Sequence, residues 1–570
     1  MEKSIRILGI WDGHNSGAAL LQDGKITSCI SEERFSRIKN DAGYPLKSVE
    51  KILEIENITT ESIDLIVLGS NIVHERDFYF RGWDWYKQSP SGDENSINNA
   101  IKKLEARNEE RRNSIAQHLG VSINKIKIVD HHEAHAASAY FGSEWEFDEK
   151  ILVLTCDGGG DGICATVNIG NKKILERISQ TPSNASLGKI YSRITLLLGM
   201  KPWEHEYKIM GLAPYADPKG VKKSLDVFSQ LIEIKENELE FSLKSELSMN
   251  YCYNFLKIKL ENHRFDWIAG AVQQFTEDLL VQWVKNAIKK TGIKKIACAG
   301  GVFMNVKANM KILDIPEVED IFVFPSGGDE SIPIGAAYLG YYNILSSPNS
   351  NKIPIGPLYL GPEFSDKEIK QSINELNIED NSDYQVEYYE NINSIIAKKL
   401  SDGDIVARFF GKMEWGARAL GNRSILSNPS SMTSVREINA AIKQRDFWMP
   451  FAPSMLSDKQ NELIINSKHV KSHYMTMTFP TQPNQDAKII ASVHPYDLTT
   501  RSQLLEEDYN PEYYDLIKKF YEFTGIPAIL NTSFNLHGEP IVCTPTDAIN
   551  TLIKSGLRYL AIGHYLISKN

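Results

Sequence analysis

At 570 residues the chain exceeds what one hydrophobic core holds, and two or more domains are expected. Its 63 Lys+Arg against 73 Asp+Glu leave a net charge of −10, which excludes the basic face that a nucleic-acid or anionic-membrane partner requires. Six cysteines without a C-x-x-C pair exclude zinc knuckles and a disulfide framework. The start MEKSIRILGIWDG has no signal-peptide core, and no apolar run approaches the roughly 18 residues of a membrane span, so a cytoplasmic protein is expected.

In chain order, RILGIWDGHNSGAALLQDGKITSCISEE reads as a strand, a Gly/Asp turn, a second strand, a tight turn at Gln22-Asp23-Gly24 and a third strand. His14 stands in that first turn, where a phosphate-cradling loop would carry only small residues. A group-transfer site needs a near-neutral base there, so His14 is the candidate to deprotonate an incoming hydroxyl. In SEERFSRIKNDAGYP, Glu32, Arg34, Arg37 and Lys39 could be an ordinary charged helix end; Lys39 is the preferred functional residue. In IVDHHEAHAASAYFGS, His131 and His135 are four apart, so a helix puts both on one face at metal-ligand separation, with His132 pointing elsewhere.

From Lys150, KILVLTCDGGGDGICATVNIGNKKILERIS repeats the three-strand plan of the N-terminus. Duplicated α/β halves headed by glycine-rich hairpins are the plan of the actin/hexokinase-type fold, the alternative being two unrelated hairpins. Asp157 in CDGGGDG and Asp329 in SGGDES fall at strand ends, and with the two histidines make a His/His/Asp/Asp set for a divalent metal. Glu206, Lys208 and Gly211 in PWEHEYKIMGLAPYA read equally as a helix corner or a ligand contact. The strand KKIACA runs into Gly300-Gly301 and a helix start with Asn305 and Asn309, an arrangement suited to nucleotide contact. Composition then shifts to Ser, Asn, Pro and Gly, placing a linker at 346–357 between domains 1–345 and 358–570.

The second domain carries GDIVARFFGKMEWGARALGNRSILSNPSS and AIKQRDFWMPFAPSML. There Arg418, Arg423, Lys443 and Arg445 accompany Asn422, Ser424, Asn428 and Asn439 on otherwise apolar segments. Buried cations need a counter-anion, and a phosphate-bearing ligand supplies one. HPYDLTTRSQLL adds Arg501 and Gln503, and NTSFNLHGEP places Asn531, Thr532, Ser533 and Asn535 at the tip of an apolar strand, a usual place for ligand contact.

These ordered motifs, together with EERFSRIK, SLGKIYS, KIMGLAPYA, AGGVFMNVKAN and EWGARALGNRSIL, resemble the ATP-dependent O-carbamoyltransferases that act on nodulation factors, cephamycins, ansamycins and aminoglycosides. The resemblance implies an N-terminal domain similar to the tRNA threonylcarbamoyl transferase of the actin/hexokinase superfamily and a C-terminal YrdC-like α/β domain. It implies that the latter joins ATP, with magnesium, to carbamoyl phosphate, giving carbamoyl adenylate and pyrophosphate. The former, holding iron(II) or a similar metal at His131, His135, Asp157 and Asp329, passes the carbamoyl group to a hydroxyl of a small-molecule acceptor. By the same resemblance Arg418, Arg423, Ser424, Lys443, Arg445, Arg501, Asn531, Ser533 and Asn535 bind the phosphates, and Lys39, Lys443 and Ser533 join His14 in catalysis. Gly158, Glu206, Lys208, Gly211, Gly300, Gly301, Asn305 and Asn309 line the nucleotide site. The chain departs from the family's pattern at Asn15, Lys412, Ala417 and Met449. A sugar kinase or ATPase on the same fold and a nucleotide-binding sensor are the rival readings; a homodimer stays open.

Overall fold

The computed structural model describes residues 4–80, 94–345, 351–443 and 445–570, with side chains in the helix Glu94–Leu119 from Lys102 onward. The chain divides into two compact units, Met1–Glu32 with Asp41–Ile355 and Glu33–Asn40 with Gly356–Asn570. The first unit therefore ends within the expected linker, of which 346–350 lie outside the described residues.

The first unit is built twice on one plan. Strands β1 (Arg6–Trp11), β2 (Gly17–Gln22) and β3 (Lys25–Ser31) form an antiparallel meander, and β4 (Leu65–Leu68) and β5 (Ile126–Ile128) add to β1 in parallel, giving the order β3-β2-β1-β4-β5. Strands β6 (Ile151–Gly160), β7 (Ile163–Asn171) and β8 (Ile174–Pro182) repeat the meander. After a short hairpin of β9 (Ile232–Glu233) and β10 (Ser242–Leu243), β11 (Lys295–Ala299) and β12 (Asp320–Val323) extend it in parallel, giving β8-β7-β6-β11-β12. Two sheets of identical order and direction are the actin/hexokinase-type duplication.

Strands β1 and β2 are apolar along their length rather than alternating because both faces of the sheet are covered. The helix Ile332–Leu339 packs on β1 and β2, and the helix Leu46–Ile55 on β2 and β3. Close approach is enforced by glycine: a Cβ on Gly9 would strike the Pro333 carbonyl, and one on Gly335 would strike the Ala134 carbonyl. The second contact seats Ile332–Leu339 against the helix His131–Gly142, so the turns that lead into both helices arrive at one place.

The second unit is α/β around one mixed sheet. Its strands are β13 (Tyr384–Tyr388), β14 (Val406–Phe409), β15 (Arg423–Ser427), β16 (Ala452–Leu456), β19 (Gln503–Leu505), β20 (Ala528–Ser533), β21 (Tyr559–Ile562) and β22 (Tyr565–Lys569), with β17 (Phe479–Pro480) and β18 (Thr499–Thr500) pairing apart. The order is β13-β22-β21-β14-β15-β20-β16-β19. Helices Asp366–Glu375 and Pro545–Lys554, each started by a capping box, bury Ile369, Ile373, Ile549 and Leu552 against Phe409, Ile425, Leu530 and Leu560. Among the described residues no helix is long and apolar enough to cross a membrane.

Candidate functional site

In the first unit, the helix His131–Gly142 starts on Asp130, whose carboxylate accepts the Glu133 N–H at 2.9 Å. One turn of helix separates His131 from His135, and their ring centroids lie 4.7 Å apart. Asp157 near the end of β6 and Asp329 in the turn before Ile332–Leu339 meet them, and one ligand atom from each of the four residues falls within 4.8 Å of the others. His131 Nε2 lies 3.7 Å from Asp157 Oδ2 and 3.5 Å from Asp329 Oδ1, and His135 Nε2 lies 3.7 Å from the same Asp329 oxygen.

These separations are too long for hydrogen bonds, and His131 Nδ1 and Nε2 and His135 Nε2 are buried without one. His135 Nδ1 sits 3.1 Å from Ser331 Oγ, which leaves Nε2 as the ring atom turned toward Asp329. Two imidazoles and two carboxylates with orphaned nitrogens fit a divalent transition metal. Burial opposes charge on His131, but Asp329, Asp157 and Asp161 hold its pKa up at about 9. Burial and the neighbouring Asp157 push Asp329 up, while His131, His135 and His14 more than offset them and leave it at about 2. Asp157 is held well below the usual range, burial being outweighed by the three histidines His131, His135 and His132. His132 turns away to Thr155 Oγ1 and the Ile163 carbonyl, and burial drives its pKa well down.

Three outer contacts were not legible as functional in the sequence. Asp161 accepts the His131 N–H at 2.9 Å and also binds Ser70 and the Asn71 and Ile72 N–H groups, so one carboxylate ties the 70–72 loop to the histidine turn. Ser331 orients His135. Asp12 and Arg111 form a buried pair with two contacts of 2.7 Å, and Arg111 also donates to the Ser70 carbonyl.

His14 lies in the β1–β2 turn, which wraps on Trp11: the indole N–H donates to the His14 carbonyl at 2.6 Å and Asn15 takes a left-handed φ of 58°. Its Nδ1 faces Asp329 Oδ2 at 3.8 Å, so one carboxylate presents one oxygen to the histidine pair and the other to His14. Gly301 N–H donates to Asp157 Oδ1 at 2.8 Å, and Gly300, at φ 101°, packs so close to Cys156 that a Cβ would strike its backbone. A Cβ on Gly158 would meet nothing within 4 Å, so space opens beside that residue.

The remaining expected nucleotide residues divide. Asn305 caps the helix Val306–Leu313 through the Ala308 N–H and pairs with Gln273, and buried Asn309 donates to the Phe303 carbonyl. Glu206 opens the helix Glu206–Leu212, which also holds Lys208 and buried Gly211, and accepts from Ser192 Oγ and the Trp203 N–H. Burial raises the pKa of Glu206, and the charge of His14 acts on it in the opposite sense.

In the second unit, buried Lys443 donates from Nζ to Asn535 Oδ1 at 2.8 Å and to Ser533 Oγ at 3.1 Å. Arg445 Nη2 donates to Thr532 Oγ1 at 2.9 Å, and its guanidinium lies over Phe451. The pKa of Lys443 is driven well down by burial and by the charges of Arg445 and Lys39. That of Arg501 is driven well down by burial and by Arg418 and Arg445. Lys443 also donates to the Asn535 carbonyl at 3.3 Å. Lys39 reaches this unit on the 33–40 segment, which is anchored by Arg34 on the Gly416 carbonyl and by Arg37 on the carbonyls of Pro540 and Ile541.

Arg423, Ser424 and Asn531 are engaged elsewhere. Fully buried Arg423 donates to the carbonyls of Phe410, Gly411, Asn422 and Pro362. Ser424 Oγ accepts the Gly421 N–H, and Asn531 donates to the Ala419 carbonyl and Ser454 Oγ. Glu414 Oε1 accepts three N–H groups, of Leu420, Asn422 and Arg423, so these side chains hold the loop between β14 and β15 in shape.

A family model described as the carbamoyltransferase N-terminus matches residues 6–338, and one described as the carbamoyltransferase C-terminus matches 397–569. An uncharacterized protein of Methanocaldococcus jannaschii is 34% identical over 99% of both chains. Nodulation protein NolNO of Sinorhizobium fredii is 30% identical over 98% of this chain and 79% of its own. Among solved structures, full-length HypF in a phosphate- and nucleotide-bound form is 15% identical over 61% of this chain and 57% of its own, with a TM-score of 0.31.

Proposed function

The chain belongs to the carbamoyltransferase family, and we propose that it makes carbamoyl adenylate from ATP and carbamoyl phosphate and transfers the carbamoyl group to a hydroxyl of a small molecule. The observation that carries this reading is the cation group of the second unit, where buried Lys443 donates to Ser533 and Asn535 and Arg445 donates to neighbouring Thr532, in a chain that matches both carbamoyltransferase family models. Clustered cations and hydroxyl and amide side chains are favourable around phosphate oxygens. Lys443, Arg445, Arg501 and Arg418 would take the phosphates of ATP, with its magnesium, and of carbamoyl phosphate. Ser533 and Asn535 would hold the Lys443 ammonium in place. Carbamoyl phosphate and ATP leave as carbamoyl adenylate, pyrophosphate and phosphate, with one water consumed.

Transfer belongs to the first unit. A divalent ion on His131, His135, Asp157 and Asp329, iron(II) by family resemblance, would supply Lewis acidity beside the adenylate. His14 takes the proton of the acceptor hydroxyl as that oxygen bonds to the carbamoyl carbon, the bond from that carbon to the phosphate oxygen breaks, and AMP leaves. Asp329 Oδ2 orients the imidazole from its Nδ1 side. ATP and carbamoyl phosphate place such an enzyme in the cytoplasm, with a small-molecule acceptor and no nucleic-acid or membrane partner.

The test is ATP–pyrophosphate exchange with and without carbamoyl phosphate, followed by mass analysis of hydroxyl compounds for one added carbamoyl group. Exchange that depends on carbamoyl phosphate is expected. ATP hydrolysis or sugar phosphorylation indifferent to carbamoyl phosphate would instead identify a kinase or ATPase, and nucleotide binding without exchange a sensor.

A further inference from the structure

Among the described residues, two aromatic side chains lie beside His14, which also bridges to Ala42 and faces Asp329. The His14 ring centroid lies 5.4 Å from Trp203 and 6.2 Å from Tyr79, and those two lie 6.1 Å from each other. Tyr79 ends the short helix Arg76–Tyr79, beside Phe78 and His74, so the group is assembled from the β1–β2 turn, the segment after β4 and the turn before Glu206–Leu212. None of the three rings is fully buried.

Trp203 adopts φ 65°, a left-handed conformation that is a true outlier for so bulky a side chain. Its N–H is held by Glu206 Oε1 at 2.8 Å, and the same oxygen accepts from Ser192 Oγ at 3.1 Å. A strained backbone persists where its surroundings over-determine it, characteristically at ligand sites. The Trp203 ring it directs is not among the buried core residues and stands beside the candidate base, tilted 53° to it.

Resting on the reading of His14 as the base of carbamoyl transfer, we propose that Trp203 and Tyr79 form the acceptor platform and select a hydroxyl carried on a ring with an apolar face. Two sources share that chemistry, the C–H face of a pyranose and the face of a fused aromatic ring; both stack on an indole and a phenol while presenting a hydroxyl at the ring edge. Trp203 is a specificity-determining residue, and Glu206 a positioning residue that acts through the Trp203 N–H.

The experiment uses the full-length, metal-loaded enzyme with ATP and carbamoyl phosphate, scoring carbamoyl gain by mass on methyl glucopyranosides, naphthalene methanols and, as open-chain controls, mannitol and 1,3-propanediol. Cyclic alcohols of one or both classes are expected to react and open-chain ones to lag by at least about 10-fold. On the better cyclic alcohol, Trp203→Ala should raise KM about 10-fold with kcat changed less, Trp203→Phe should recover most of the loss, and Glu206→Gln, which keeps the acceptor oxygen, should exceed Glu206→Ala. Retained metal content shows that the first unit of each variant is folded, and Trp203→Phe serves where Trp203→Ala is not. Open-chain alcohols accepted as well as cyclic ones, an unchanged KM in folded Trp203→Ala, or no reaction with any cyclic alcohol by an enzyme that makes the adenylate would each overturn the platform. Absence of carbamoyl phosphate-dependent exchange in the wild type would refute the underlying reading instead.

Discussion

Replacing Lys443 by methionine separates a phosphate ligand from a structural lysine, because the two roles predict opposite changes in stability. Methionine keeps most of the apolar stem and removes the ammonium, which donates to Ser533 Oγ, to Asn535 Oδ1 and, at 3.3 Å, to the Asn535 carbonyl. Ser533 Oγ and Asn535 Oδ1 also bond each other at 2.7 Å, so those two side chains keep a partner and the Asn535 carbonyl loses only the long 3.3 Å contact. What disappears is a buried cation set against Arg445 and Lys39. Exchanging a buried charge for an apolar group of like volume is neutral or stabilising by about 1–4 kcal/mol, or about 2–4 °C per kcal/mol for a unit of roughly 200 residues. Since the folded pKa of Lys443 lies below its unfolded value of about 10.4, the unfolded chain holds the extra proton between the two. Stability of the wild type therefore rises with pH across that window, its deficit is complete below the folded pKa, and the variant loses this slope. Adenylate formation should fall by about 10²–10³-fold, the effect of losing one preorganised contact to a charged oxygen. Thermal melts with and without phosphate, beside ATP–pyrophosphate exchange, read both quantities. A Lys443→Met protein that melts lower than wild type without anion, or that exchanges at the wild-type rate, would refute the phosphate assignment.

Four further outcomes follow from the first unit. His131→Ala and His135→Ala should each abolish divalent-metal retention, measured by elemental analysis, while carbamoyl phosphate-dependent exchange survives. With the His131 pKa raised to about 9, the charged ring steadies the metal-free fold below about pH 6.5 and this is lost as pH rises through about 9; metal uptake, which displaces that proton, should strengthen up to about tenfold per pH unit below 9 and level off above it. Gly160→Ala puts a Cβ into the His131 ring and should lower metal occupancy with little change in circular dichroism. His14→Asn should slow single-turnover transfer by about 10²–10⁴-fold at unchanged metal content, and wild-type-rate transfer would remove His14 from the chemistry.

Local pattern was enough to expose the duplicated hairpins, the His131/His135 face and the cation-rich second domain, because turn glycines, helical periodicity and charges on apolar segments are written in neighbouring residues. Their places at strand ends brought Asp157 and Asp329 into the same expected set; the approach of Asp329 to the histidines goes with the close Gly335–Ala134 packing, which no local pattern reports. Tertiary structure alone decided which cations hold a loop: Arg423 and Lys443 look alike in the chain, yet one donates to the carbonyls of Phe410, Gly411, Asn422 and Pro362 and the other to Ser533 and Asn535. It alone placed Lys39 with the second unit, and Trp203 and Tyr79 beside His14. Side chains far apart in sequence meet only after the sheets have formed, so their pairing depends on long-range packing, while the strands and helices that carry them are encoded within a few residues of each position.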